Sequence, residues 1–366
     1  MPGRTRLQLP DFPWDSLAGA VATARAHPGG LVDLSVGTPV DEVAVPIQQA
    51  LASSAAVPGY PATWGTAPLR EAAVAALDRR HGVRGLDPDA VLPTIGSKEL
   101  IAWLPTLLGL GPDDTVVVPE LAYPTYEVGA RIAGCRVLRS DGLTALGPAR
   151  AAVVYVNSPA NPTGQVLGVE HLRKVVDWAR QRDAVVVSDE CYLGLAWDAE
   201  PVSVLDPRVH GGDLTGLLAV HSLSKTSSLA GYRAGFVAGD PALVAELLEV
   251  RKHAGMIVPR PVQSAMTAAL TDDAHAAVQR ERYAARRAVL LPAVRAAGFR
   301  VDHSAAGLYL WATRDEPCRA TVDWFAGRGI LVAPGEFYGP SGDRHVRIAL
   351  TATDERIGAA VARLAP

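Results

Sequence analysis

Cysteine is scarce in this chain. Cys135, Cys191 and Cys318 are the only three, they lie far apart, and they form no CxxC pair. That spacing disfavours a disulfide framework and fits a reduced cytoplasmic protein with inert thiols. The nine histidines offer no metal constellation either; His253 and His303 read as polar surface or packing residues, and no metal is expected. An excess of charge of one sign is also missing. The 35 Lys and Arg residues stand against 38 Asp and Glu, which gives no support for nucleic acid or membrane as a partner. Residues 1–30 hold prolines and charges but no sustained apolar run, so no signal peptide or membrane anchor is read there. Internal repeats and low-complexity linkers are absent.

What is present is an ordinary globular composition, 49% apolar and 20% charged over 366 residues. The chain is long enough for a large core and exceeds one compact domain. Short apolar runs alternate with helical patterns, as in an α/β sheet with crossover helices. Residues 1–45 read as an extended arm, with Pro10, Pro13 and Pro39 limiting helix, and 31–37 as a short strand entering a glycine turn. Strands are expected at 91–95, 115–118, 151–156 and 184–188, with helices at 67–80, after Ser97, and at 172–181. Beyond Gly239 the pattern is mostly helical, then a smaller sheet follows from strands at 299–301, 308–312, 330–332 and 345–349. The expected division is an arm at 1–45 that joins a small domain, a large domain at 46–250 and the rest of the small domain at 251–366.

The most informative stretch runs from His221 to Gly239, HSLSKTSSLAGYRAGFVAG, just after the apolar run 217–220. A lysine set directly after a buried strand is poorly solvated as an ammonium ion, and a free amine is a nucleophile. The hydroxyls of Ser222 and Ser224 and the forked guanidinium of Arg233 are what a phosphate needs. An aldehyde that carries a phosphate and forms an imine with lysine is pyridoxal 5'-phosphate (PLP). The string from Ser222 to Gly235 closely resembles the cofactor-lysine signature of the class I/II aminotransferases, which have the aspartate-aminotransferase fold (PLP fold type I). Ser227 departs from the aromatic residue often found there. The resemblance implies a large domain with a mostly parallel seven-stranded sheet flanked by helices, plus a smaller α+β domain.

Further motifs gather around Lys225. Asn161-Pro162-Thr163-Gly164 after a strand would alone be a turn. Asp189, in Asp189-Glu190-Cys191-Tyr192, ends a strand, where open α/β sheets bind ligands, although a strand-end carboxylate is often a helix cap. Gly96-Ser97-Lys98 presents backbone N–H groups at a helix start, a ready anion site or an ordinary capped helix. By resemblance, Lys225 is the catalytic and cofactor-bearing lysine. Asp189 holds the pyridine nitrogen protonated, while Asn161 and Tyr192 donate to the phenolic oxygen. The phosphate falls to Ser97, Lys98, Ser222, Ser224 and Arg233, and Tyr123 stacks on the ring; Tyr126 is expected to pack. Tyr60 resembles the residue that reaches the phosphate of a neighbouring subunit, which implies a homodimer with shared sites. Gly37, Asn161 and Arg347 are the expected substrate-carboxylate contacts. Arginine in a strand is usually solvated or salt-bridged; the matching pattern favours the ligand role here.

The wider sequence resembles the actinobacterial N-succinyldiaminopimelate aminotransferases, on Leu9–Asp15, Asp33–Asp41, Val118–Glu127 and Arg251–Met256. That subgroup exchanges the amino group of N-succinyl-LL-2,6-diaminopimelate with 2-oxoglutarate and glutamate in lysine biosynthesis. A substrate with several carboxylates needs cations beyond Arg347, and Lys252, Arg251 and Arg260 are the candidates, each with a solvated helix end as its plainer reading. Aminotransferases for aspartate, aromatic or secondary-metabolite donors would carry the same cofactor residues, and so could a PLP lyase. An effector-sensing regulator would need a DNA-binding domain ahead of the fold, and about 30 residues before the first matched strand are too few.

Overall fold

The computed structural model describes residues 9–142, 146 and 150–365. Its main sheet has seven strands. After a short strand β1 (Val32–Asp33), these are β2 (Val91–Ile95), β3 (Thr115–Val118), β4 (Arg136–Arg139), β5 (Val153–Asn157), β6 (Val185–Asp189), β7 (Leu217–Ser222) and β8 (Ala234–Gly239). Their spatial order is β2-β8-β7-β6-β5-β3-β4. From β4 through to β7 every pairing is parallel, and β8 runs antiparallel to both of its neighbours. The valine-rich runs of β3, β5 and β6 are apolar on both faces because helices cover both. Burial on two sides is what turns a parallel strand into a continuous apolar run. This is the α/β architecture expected from the sequence.

Register places the chemistry. Asn157 and Asp189, the last residues of β5 and β6, are direct partners, and Asp189 pairs with Val220 of β7, two residues before Ser222. Three strands therefore deliver polar side chains to one carboxyl edge, where open α/β sheets bind ligands.

A second sheet orders β12 (Ala333–Pro334), β13 (His345–Ala349), β10 (Tyr309–Thr313) and β9 (Arg300–Asp302), all antiparallel. Strand β1 pairs in parallel with β11 (Ile330–Leu331) and ties the N-terminal segment to this part. Two sequence expectations are revised. The segment 1–45 is less extended than its prolines suggested: within its described residues, Pro13–Leu17 is a 3-10 helix that runs into helix Ala18–Arg25. Pro13 stands in the first turn, where its missing N–H is harmless. The boundary at 250 falls inside helix Pro241–Ala254, and helix Arg260–Thr271 buries Ala265, Met266, Ala269 and Leu270 in the large-sheet core. After Leu17, Val32 and Leu34 of the N-terminal segment, the chain next contributes to the smaller core at Leu290 and Val294 of helix Ala274–Ala296.

Candidate active site

The carboxyl edge of β5, β6 and β7 opens into a cavity of about 440 Å³. Its lining includes Gly37, Ser97, Lys98, Tyr123, Asn161, Asp189, Tyr192, Ser222, Ser224, Lys225, Arg233 and Arg347. Motifs spread over more than 300 positions of sequence thus meet in one place.

One end of the cavity is built for an anion. Gly96 holds φ +76°, and helix Ser97–Leu107 starts immediately after it. A Cβ on Gly96 would lie 2.6 Å from Nη2 of Arg233, so only glycine lets the guanidinium close over the helix start. Gly235 serves the same corner, since a Cβ there would lie 3.0 Å from the Ser97 amide nitrogen. Arg233 itself holds φ +54° and donates to the Ala230 carbonyl at 3.0 Å. Ser222 Oγ accepts from the Ser224 amide at 3.2 Å, which sets both serines on the cavity wall. Backbone N–H groups, hydroxyls and a guanidinium converge as at phosphate-binding helix starts.

The floor carries Asp189. Its carboxylate accepts from Tyr126 Oη at 2.6 Å and from the Cys191 amide at 3.2 Å. Burial raises its pKa above the ordinary range, while the hydrogen bonds from Cys191 and Tyr126 pull the other way. No Lys, Arg or His forms an ion pair with it among the described residues. A buried carboxylate without a cation is expensive, so this position suits a group that brings a protonated nitrogen. Beside it, Asn157 accepts from the Asn161 amide at 2.7 Å and donates to the Asp189 carbonyl at 2.8 Å, which fixes the Asn161 turn against β6.

Arg347, which also lines the cavity, is buried. It donates to Asn161 Oδ1 at 2.9 Å and to the Ser35 carbonyl at 2.7 Å, and its guanidinium lies 4.0 Å from the centre of the Tyr309 ring. Its Nε has no hydrogen-bond partner among the described residues. Lys225 Nζ donates to the Gly37 carbonyl, and a Cβ on Gly37 would collide with the Tyr309 hydroxyl. Tyr192 and Tyr309 share a hydrogen bond at 3.0 Å between their hydroxyls. Burial, then Tyr309, pushes the Tyr192 hydroxyl well above its usual range, so it stays a neutral donor.

Four expected residues stand apart. Tyr60 is 98% exposed and does not line this chain's cavity. Arg251 is fully buried in a pair with Glu99 at 2.9 Å, and Lys252 pairs with Glu249 at 2.6 Å on the surface. Neither they nor Arg260 reach the cavity lining. Tyr126 packs as expected, stacked on Tyr155 at 4.9 Å between centroids, and it also binds Asp189. Sequence reading missed Tyr309, Phe12 and Trp14 as lining residues. Tyr309 belongs to no local motif; it reaches Arg347 because β10 and β13 are paired antiparallel, with Trp311 opposite Arg347. Phe12 and Trp14 lie in the stretch Leu9–Asp15 that carried the subgroup resemblance, but nothing in that stretch pointed to the cavity.

The donor set fits PLP: an anion cradle at the helix start, an unpaired buried carboxylate, neutral phenol and amide groups between them, and a lysine at the centre. Among the described residues no group of three His, Cys, Asp or Glu could hold a metal ion, and no helix is long and apolar enough to cross a membrane.

Comparison with known proteins agrees with this geometry. The family model "Aminotransferase class I and II" matches residues 30–364. The chain is 72% identical to a probable aminotransferase of Mycobacterium tuberculosis, over 99% of this chain and 87% of that one. It is 59% identical to the 4-dedimethylamino-4-oxo-anhydrotetracycline transaminase of Streptomyces rimosus, over 98% and 99% of the two chains. Among solved structures, an aminotransferase of Neisseria meningitidis superposes with TM-score 0.88 at 30% identity, covering 98% of this chain and 96% of that one. A Thermus thermophilus aspartate aminotransferase double mutant gives TM-score 0.86 at 25% identity, with 99% of each chain covered. The chain belongs to the class I and II aminotransferases, a PLP-dependent family.

Proposed function

We propose that this aminotransferase moves an amino group between N-succinyl-LL-2,6-diaminopimelate and the 2-oxoglutarate/glutamate pair, as a homodimer. The observation that carries the reading is a pair of cations, Arg347 and Lys98, in the lining of one cavity in addition to the Lys225 and Arg233 that the cofactor would use. Arg347 is buried, and Lys98 Nζ lies 5.9 Å from the Phe12 ring and 5.7 Å from the Tyr123 ring. No carboxylate pairs with Lys98 or with Arg347 among the described residues. Two unpaired cations suit a substrate with separated carboxylates. Relatives named LL-diaminopimelate aminotransferase, 31% identical over 98% of this chain in Dehalococcoides mccartyi, support a diaminopimelate-like donor more weakly.

Each residue then has a task. The Ser97 and Lys98 amides, Ser222, Ser224 and Arg233 hold the phosphate, with Tyr60 of the partner subunit reaching it across the dimer. Tyr123 packs against the ring face. Asp189 keeps a proton on the ring nitrogen, and Asn161 and Tyr192 donate to the phenolic oxygen. The bound cofactor supplies a ring that accepts the electrons left when Cα loses its proton. Lys225 is the attachment amine; as general base it would take that proton from Cα, and as acid it would deliver it to the cofactor carbon C4' rather than back to Cα. Arg347 takes the substrate α-carboxylate through two N–H groups, with Gly37 and Asn161 beside it. Alternate binding of two substrates at one site predicts ping-pong kinetics.

A second reading has its own support. The 59% identical relative is named for a polycyclic oxo substrate, and Phe12, Trp14 and Tyr123 give this cavity aromatic walls. Both readings are tested by glutamate release and uptake with the PLP-loaded protein. The panel is N-succinyl-LL-diaminopimelate, N-acetylornithine, aspartate, phenylalanine, alanine and a polycyclic aromatic ketone. Highest kcat/KM with the succinylated compound supports the first reading. Preference for the ketone, or for another amine, transfers the assignment to that substrate, and the absence of any half-reaction removes transamination itself.

A further inference from the structure

Tyr309 opens strand β10, is buried, and lines the candidate active site. In the antiparallel ladder it lies opposite Ala349, and Trp311 lies opposite Arg347. Residues two apart share a face of the sheet, so the Tyr309 ring comes beside Arg347, 4.0 Å from guanidinium to ring centre. The far end of the phenol crosses to the large sheet. Its hydroxyl lies 3.0 Å from that of Tyr192, three residues past β6, and the two rings meet edge to face with 5.8 Å between centres. A backbone seam holds this approach. Gly307 donates to the Leu195 carbonyl at 2.7 Å, Trp197 Nε1 donates to the Gly307 carbonyl at 2.8 Å, and Ala196 bridges Ala306. Gly37 packs against the same hydroxyl with no room for a Cβ.

Proton counting gives the bond between the tyrosines a direction. Each phenol carries one proton, and each oxygen can also accept. Among the described residues the two hydroxyls have only one another as hydrogen-bond partners. If Tyr192 spends its proton on a cofactor oxygen, Tyr309 must supply the proton that lies between them. The other ionisable groups that face the pair are Cys191 beside Tyr192, Arg347 on β13, Tyr283 on helix Ala274–Ala296, and Tyr338. Arginine keeps its charge throughout, and burial raises Cys191, Tyr283 and Tyr338 above their ordinary ranges. None of the four changes charge near neutral pH.

We propose that the Tyr309 hydroxyl is a positioning group for the cofactor: it donates to Tyr192 Oη and so commits the Tyr192 proton to the phenolic oxygen. This rests on the donor role proposed for Tyr192. A phenol that accepts a hydrogen bond becomes a stronger donor, so loss of the Tyr309 proton weakens the donation by Tyr192. Donation to the phenolic oxygen draws off negative charge that otherwise holds a proton on the linkage between Lys225 and the cofactor. Weaker donation therefore raises the pH at which that linkage loses its proton. The same side chain supports Arg347 with its ring, so its hydroxyl and its ring serve different ends of the site.

A pH titration of the absorbance of the PLP-loaded protein reads that midpoint without turnover. Tyr309→Phe keeps the ring beside Arg347 and removes the hydroxyl, and its midpoint should rise by roughly half a pH unit. Tyr192→Phe should raise the midpoint further, since it removes the donor itself. The double variant should match Tyr192→Phe, because Tyr309 acts through Tyr192 and the two effects do not add. A midpoint raised in Tyr192→Phe but unmoved in Tyr309→Phe overturns the inference and leaves Tyr192 its role. An unmoved midpoint in Tyr192→Phe removes both roles together. A double variant displaced beyond Tyr192→Phe also overturns the inference, since Tyr309 then acts by another route. Packing alone predicts a different pattern: KM for the amino donor changes through Arg347 and the midpoint stays in place. That pattern would reduce Tyr309 to a support for the arginine.

Discussion

The Tyr126 hydroxyl donates to Asp189 Oδ2 across 2.6 Å, with both groups buried. Tyr126 stands in the first turn of helix Thr125–Ile132, and its ring is held by stacking on Tyr155 of β5. The donor is therefore fixed by packing, and it favours the ionised carboxylate that a protonated ring nitrogen requires. Tyr126→Phe keeps the ring and removes the donor, so the Asp189 pKa should rise further and its hold on the proton weaken. We expect kcat/KM to fall about tenfold, equivalent to roughly 1.4 kcal/mol, with an altered pH dependence of cofactor absorbance. An unchanged spectrum and rate would make Tyr126 a packing residue only.

Arg347 owes its orientation to two fixed acceptors, Asn161 Oδ1 and the Ser35 carbonyl, and to the Tyr309 ring beneath it. Lysine at this position keeps the charge but loses the planar fork. Arg347→Lys should raise KM for the amino donor by about 100-fold, on the order of 2.7 kcal/mol, with a smaller change in kcat. Steady-state kinetics over both substrates would check the split. A fall in kcat at constant KM would assign Arg347 to the chemical step instead.

Glu190 and His221 oppose one another in their effect on stability. Burial pushes the Glu190 carboxyl up to about 7 from 4.5, and it pushes His221 down to about 3 from 6.5. Between pH 4.5 and 6.5 the folded chain keeps a proton on Glu190 that the unfolded chain releases, so this group loses stability as pH rises. Over the same interval the unfolded chain protonates His221 and the folded chain does not, so this group loses stability as pH falls. His81, lowered by burial to about 4, acts in the same sense as His221. Glu190→Gln should therefore make acid destabilisation between pH 6.5 and 4.5 steeper than in the unsubstituted protein, and His221→Asn should make it shallower. Urea midpoints across that interval measure both, and parallel curves for all three proteins would refute the opposition.

Those two residues also mark where sequence reading stopped. The motifs that meet in the cavity were legible because each combines a turn or strand end with a residue type of defined chemistry, as in Asn161-Pro162-Thr163-Gly164 and Asp189-x-x-Tyr192. The valine runs of β3, β5 and β6 likewise revealed a sheet buried on both faces. Tyr309 was not legible, because its place under Arg347 depends on the pairing of β10 with β13. The packing of helix Arg260–Thr271 into the large-sheet core was not legible for a similar reason. Its amphipathic pattern says that one face is buried but not against which partner; it packs on helices Val45–Ser53 and Ala67–His81.

Tyr60 permits the sharpest test of shared sites. At 98% exposure it contributes nothing to the cavity of its own chain, so any cofactor role must be exercised on another subunit. Lys225→Ala should bind PLP yet lose at least about 10³-fold in transamination, the scale of a lost acid–base group. Tyr60→Ala should retain Lys225 but hold PLP more weakly. In a heterodimer of the two variants, the subunit with Lys225 would receive Tyr60 from the other, which rebuilds one complete site. Mixing under conditions that exchange subunits should therefore restore activity and tight PLP binding above the sum of the separate variants. If Tyr60 acted within its own chain, neither subunit could be repaired, and the mixture would show only that sum.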